Sequence, residues 1–243
     1  MSLSRSSAIA WRIALTMRRD HRTLALMLVV PVVIMLLIGL SFERMPQVLD
    51  GVAPALLGFF ALFFSFILTG ISFLRERLNG TLERLLATPV GRADLLLGYL
   101  LGFIGFALVQ AAVVLFLTIY GLNVTNRSSI WEVVIFLVIL TVSGVSLGIF
   151  ASTYARNEFQ VLQFLPLFFA PQVFLSGLFL PVEEMPGYLQ AVALVLPLRY
   201  AIDGLRALML EGAALTDVTK ELSILLAIAV GALILAGSTV RRV

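Results

Sequence analysis

Two stretches of this sequence gather charged side chains at spacings that could engage a partner or a passing solute. The first runs from Arg75 to Asp94 and reads Arg-Glu-Arg-Leu-Asn-Gly-Thr-Leu-Glu-Arg-Leu-Leu-Ala-Thr-Pro-Val-Gly-Arg-Ala-Asp. Gly80 breaks any helix entering it, and Thr81 is a good N-cap for a new one, with Glu83 in its first turn where a negative charge suits the helix dipole. Leu82, Leu85 and Leu86 fall on one face at helical spacing. Pro89 biases Thr88 out of the helical region and ends the element. The spacing therefore predicts a helix of about two turns, Thr81–Ala87, with an apolar and a charged face. It reads as a docking knob or, more plainly, as a connector lying on a surface. The second stretch is Pro181–Glu221. Between Pro186 and Pro197 it holds an apolar run about half the length needed to cross a bilayer, which suits a re-entrant or interfacial hairpin. Arg199, Asp203 and Arg206 follow at i, i+4 and i+7, where they share a face and can pair, either as a stabilising ion pair or as a gate.

Familiar catalytic arrangements are missing. The sequence has no cysteine and one histidine, His21, in an arginine-rich flank, so neither thiolate chemistry nor a histidine-based metal site is expected. No G-x-x-x-x-G-K-[ST] occurs; the only lysine, Lys220, follows no glycine-rich loop, and there is no H-E-x-x-H or G-x-S-x-G. An enzyme reading has no motif behind it.

The elements that must carry these stretches are membrane spans. Of the 243 residues, 60% are hydrophobic and 13% charged, and the mean hydropathy is +1.06. A soluble domain carries about 25% charged residues, so most of the outer surface must face lipid. Apolar runs at about 24–42, 52–74, 95–120, 130–153, 161–180 and 222–240 are each long enough to cross a ~30 Å core as a helix. The first run is too long, and its basic flank too extended, for a cleaved leader.

With the N-terminus inside, the inner segments hold twelve arginines: Arg5, Arg12, Arg18, Arg19, Arg22, Arg75, Arg77, Arg84, Arg92, Arg156, Arg241 and Arg242. The outer ones hold five of the 17 basic residues: Arg44, Arg127, Arg199, Arg206 and Lys220. The positive-inside rule favours that orientation, and an even number of spans puts both termini inside. Charges are nearly absent from the spans, Glu132 lying at a span end. That argues against ion-coupled carriage and favours a transporter driven from outside the membrane, or one with apolar cargo.

Residues 1–23 read as an interfacial amphipathic helix. Arg5, Arg12 and Arg19 share a face, with Ala10, Ile13, Ala14 and Met17 opposite, while Ile9 falls near the arginine face and spoils the pattern. Gly98/Gly102 and Gly144/Gly148 form G-x-x-x-G pairs that let helices approach closely.

Glu76-x-x-x-Gly80-Thr81-Leu82-Glu83-Arg84-Leu85-Leu86-Ala87-Thr88-Pro89 resembles the cytoplasmic coupling segment of type-2 ATP-binding-cassette exporter permeases. Phe174-Leu175-Ser176-Gly177, Pro181 and Leu196-Pro197-Leu198-Arg199-Tyr200-Ala201-Ile202-Asp203-Gly204-Leu205-Arg206 resemble their fifth span and outer re-entrant hairpin. The likeness covers essentially the whole chain. It implies an all-α six-span bundle over 24–243, with coupling segment 75–94 and outer hairpin 181–210, in a prokaryotic plasma membrane. It further implies a permease that pairs with a second copy or a related chain, and two separate ATPase subunits that carry the ATP and Mg. No cofactor is expected on this chain, and no nucleic acid as partner.

By that resemblance Glu76, Gly80, Thr81, Leu82, Glu83, Arg84, Leu85 and Leu86 couple to the ATPase. Phe42, Phe164, Phe168, Phe169, Gln172 and Ser176 are pathway candidates, and Arg199, Asp203 and Arg206 an outer gate. The phenylalanines of the fifth span suit a hydrophobic or amphipathic cargo such as a drug, lipid or lipid-linked glycan, though lipid-facing positions would use the same residues. The alternative is an ATP-independent channel or carrier.

Overall fold

The computed structural model describes residues 3–88 and 90–239, without the side chains of Glu83 and Leu86; Pro89, Arg241 and Arg242 lie outside the described residues. Among the described residues ten helices run in the order α1 (Leu3–Arg19), α2 (His21–Ser41), α3 (Pro46–Leu78), α4 (Thr81–Leu86), α5 (Arg92–Phe116), α6 (Ile130–Ser152), α7 (Glu158–Leu175), α8 (Gly187–Ala193), α9 (Pro197–Arg206) and α10 (Thr219–Thr239). π turns extend α5 to Gly121 and α9 to Glu211, and a 3₁₀ turn spans Val182–Glu184. No strand occurs among the described residues. Among the described residues six helices are long and apolar enough to cross a membrane: α2, α3, α5 with its π turn, α6, α7 and α10.

These match the six expected apolar runs, with shifted ends. α3 begins at Pro46, where a first-turn proline loses no helical hydrogen bond, and runs for 33 residues. At 1.5 Å per residue it is ~50 Å long, well beyond a ~30 Å hydrocarbon core, so it carries Arg75, Glu76 and Arg77 out of the apolar slab. α7 is shorter than expected. It stops at Leu175, and the chain turns through Gly177 at φ +82°, a left-handed conformation that glycine adopts without a Cβ clash.

Among apolar spans, close approach decides which are central. α3 and α6 form the largest helix pair. A Cβ on Gly144 would lie 2.9 Å from the Leu62 carbonyl oxygen, and one on Gly148 2.6 Å from that of Phe66. Accordingly 67% of the spanning window of α3 and 61% of that of α6 are buried, against 22% for α2, 17% for α7 and 22% for α10.

The other glycine pair seats α1. A Cβ on Gly98 would stand 2.6 Å from Ile9, and one on Gly102 2.8 Å from Ile13. The buried stripe of α1 is therefore Ser6, Ile9, Ile13 and Met17. Ile9, which disturbs a lipid-facing pattern, is a core residue, because α1 packs on protein along this stripe. Trp11 and Leu15 stay exposed.

Candidate functional site

α4 hangs from the end of α3 on a two-residue break. Gly80 takes φ +68°, and no atom lies within 4 Å of where its Cβ would stand. The helix starts at Thr81, so Thr81 is its first residue and Gly80 fills the capping position; the Arg84 amide donates to the Gly80 carbonyl at 3.2 Å. Leu82 is buried and Leu85 half-buried against the chain's own core. These leucines anchor the helix to its own bundle. Of the described side chains here, those of Arg84, Ala87 and Thr88 face outward.

Three consecutive residues at the foot of this element each hold a different neighbour. The Arg75 guanidinium makes a two-pronged pair with Glu158, the first residue of α7, at 2.7 and 3.0 Å, and reaches Asp20 at 3.3 Å. Asp20 caps α2 by accepting from the Thr23 amide and hydroxyl at 3.2 and 2.6 Å. The Thr23 hydroxyl above all holds its carboxyl below the usual carboxylate range, and Arg75 adds to the effect. Glu76 accepts from Arg12 of α1 at 2.8 Å and from the Tyr99 hydroxyl of α5 at 3.2 Å. It points inward, with 15% of its side chain exposed. Arg77 donates to the carbonyls of Thr153, at 2.7 Å, and Ala155 at the end of α6. Successive helical residues project ~100° apart, so three of them sweep over half the circumference of α3.

The pathway candidates are not gathered into one site. Phe42 ends α2 and lines a cleft with Glu43, Leu49 and Leu122 at the far end of the bundle from α4. Phe164 and Phe168 line a groove between α3, α6 and α7, with Phe66, Phe150, Tyr154 and Leu167 among its walls and a volume of about 320 Å³. Phe169 is buried and belongs to an aromatic seam between α3 and α7. It meets Phe63 edge-on at 4.9 Å and Phe66 at 5.4 Å, while Phe66 stacks on Phe168 at 5.3 Å. Such pairs contribute about 0.5–1.5 kcal/mol each beyond their burial. Much of the phenylalanine in this region thus serves internal packing, a use separate from both pathway and lipid. Phe59, Phe63 and Phe66, at i, i+4 and i+7, were the sequence signal for it.

Gln172 and Ser176 are fully buried. Gln172 accepts from the Leu198 amide at 3.1 Å, joining α7 to the first turn of α9, and donates to the Phe168 carbonyl at 3.1 Å. Ser176 donates only within its own turn, to Val173 at 3.3 Å. Nearby, Arg199 lies 3.6 Å from Asp203 and 3.9 Å from Glu183. Arg206 does not join that pair, and donates instead to the Gly177 carbonyl at 2.9 Å. The three charges therefore split into an ion pair and a backbone clamp on the turn after α7.

No group of acidic and histidine side chains that could hold a metal occurs among the described residues. Sequence reading missed Arg12, Asp20, Tyr99 and Glu158, and the roles of Arg75 and Arg77. Their partners lie 23 to 87 positions away, and only the fold brings them together.

The model of the ABC-2 type transporter family matches residues 5–210. Over 176 residues the chain is 34% identical to the linearmycin resistance permease protein LnrN of Bacillus subtilis, covering 71% of this chain and 45% of that protein. It is 30% identical over 177 residues to the probable multidrug ABC transporter permease YbhR of Escherichia coli, covering 73% and 48%. It is 30% identical over 167 residues to ABC transporter G family member 20 of Dictyostelium discoideum, covering 69% and 23%. The match thus spans less than half the length of each of these curated relatives.

Proposed function

The chain belongs to the ABC-2 type transporter family, and from that premise we propose that it is the membrane-spanning permease of an ATP-driven exporter. Two separate ATPase subunits would bind ATP and Mg and dock at the α4 end. A second permease copy or a related chain would complete the pathway. The observation that carries this reading is α4 itself: a short helix set by a left-handed Gly80, fastened to its own bundle by Leu82 and Leu85, with Arg84 turned outward. A plain connector between spans needs no such anchored knob.

The arginine distribution favours an orientation with the α4 end and both ends of the chain on the cytoplasmic side and the α8–α9 end outside, in a membrane that we read as a prokaryotic plasma membrane. Exposed Leu3, Trp11 and Leu15 beside exposed Arg18, Arg19 and Arg22 suit α1 lying in the inner headgroup layer. The buried face of α9 suits a helix that dips back into the membrane. The low burial of α2 and α7 leaves them free to face a second copy. The groove at Phe164 and Phe168 is apolar and of ligand size, which favours a hydrophobic or amphipathic compound as cargo.

Co-purification with an ATPase tests this reading. The wild-type chain should retain the ATPase, hydrolyse no ATP alone, and lose the partner at least tenfold on Arg84→Glu. An Arg84→Glu chain that still folds, binds and couples fully would reduce α4 to a connector.

A further inference from the structure

α7 is the least buried of the six candidate spans, and Pro166 and Pro171 interrupt its backbone hydrogen bonding. At the α4 end its first residue, Glu158, is held by Arg75, which stands six positions before α4 begins. From that geometry we infer that the Arg75–Glu158 pair is the link through which movement of α4 is passed to α7. The inference rests on the proposed function.

The three residues at the foot of α4 hold different sets of helices, and the loosely packed ones, α7 and α2, are both held by Arg75. Arg77 grips α6, already locked to α3 along the Gly144/Gly148 seam. Glu76 grips α1 and α5, which are locked together along the Gly98/Gly102 seam. Phe73 of α3 also packs edge-on against Tyr99 of α5 at 4.8 Å, so a displacement of α3 carries α6, α5 and α1 with it whether or not these polar side chains bond. α7 differs. Beyond the aromatic seam at Phe63–Phe66 and a small apolar cluster in which Val161 packs with Ile71 and Leu74, its polar attachment to the end of α3 is a two-pronged guanidinium–carboxylate pair, a geometry that resists both sliding and rotation. Arg75 also touches Asp20, the cap of α2, so one guanidinium spans the inner ends of the two least covered helices of the first five spans. The pair is roughly half-exposed, with 43% and 45% of its side chains accessible. Pairs this open add little to stability, so its loss should leave the fold intact. Glu158 is a positioning residue, acting through α7.

The test compares Glu158→Gln, Glu158→Arg and the swap Arg75→Glu/Glu158→Arg, all in an Asp20→Asn background, where Asn still caps α2. Without any ATPase, hydrogen exchange over residues 158–163 should quicken about threefold or more in the single variants and recover in the swap. In the complex the single variants should keep ATPase binding and basal hydrolysis while cargo-stimulated hydrolysis falls at least tenfold. The swap should restore it to within threefold, with the change in kcat rather than in the KM for ATP. Full coupling in Glu158→Arg overturns the inference. So does coupling that stays lost in the swap although the exchange recovers. Both outcomes leave the proposed function standing. A parent chain that binds no ATPase overturns the proposed function and this inference with it.

Discussion

Replacing Gln172 by Met removes the acceptor of the Leu198 amide while nearly keeping the length of the side chain. Leu198 is fully buried and sits in the first turn of α9, where backbone N–H groups have no partner within the helix. The Gln172 carbonyl supplies that partner at 3.1 Å. A buried donor left unsatisfied costs about 1–3 kcal/mol. At ~1.4 kcal/mol per tenfold, the middle of that range opens the α7–α9 contact roughly 30-fold more often. Hydrogen exchange over residues 198–206 in detergent or nanodiscs reads this directly, and the amides there should exchange about 30-fold faster. Ser176→Ala is the matched control one turn on, because its hydroxyl bonds only its own helix; there exchange should change less than twofold. An effect under threefold in Gln172→Met would show that the Leu198 amide finds another partner, and that α9 is held by its apolar face alone.

Gly148→Ala places a Cβ 2.6 Å from the Phe66 carbonyl oxygen and should lower stability in detergent by about 1–3 kcal/mol; Gly105→Ala, with no atom within 4 Å, should be neutral. In this cysteine-free chain, an impermeant thiol reagent added outside should label Asn126→Cys and spare Thr88→Cys; the reverse would invert the topology. Ala151→Trp, which fills the groove beside Phe164 and Phe168, should remove cargo stimulation while ATPase co-purification is kept; unchanged stimulation would exclude the groove as a cargo site. Because the folded state lowers the Asp20 carboxyl, its contribution is present above the unfolded value of ~3.9 and is lost as pH falls through the folded value. Asp20→Asn should flatten the acid limb of a stability–pH profile below about 4, and an unaltered limb would remove Asp20 from the account.

Sequence alone determined what depends on neighbours along the chain. A run of ~20 apolar residues spans a bilayer whatever surrounds it, so all six spans were legible. So was α4, since Gly80 interrupts α3 and the leucine spacing restarts a helix one residue on. The G-x-x-x-G pairs were legible as sites of close packing, though not their partners. Hydropathy could not say which helix meets which, because apolar surfaces on different spans are interchangeable until small residues and side-chain shapes interlock. Tertiary structure decided that Ile9 faces Gly98 and is core, and that Phe63, Phe66 and Phe169 form a seam. It also sent Glu76 inward to Arg12 and Tyr99 while Arg75 reached α7. These pairings join residues 23 to 106 positions apart. No local preference encodes them; they arise when spans already formed choose their neighbours.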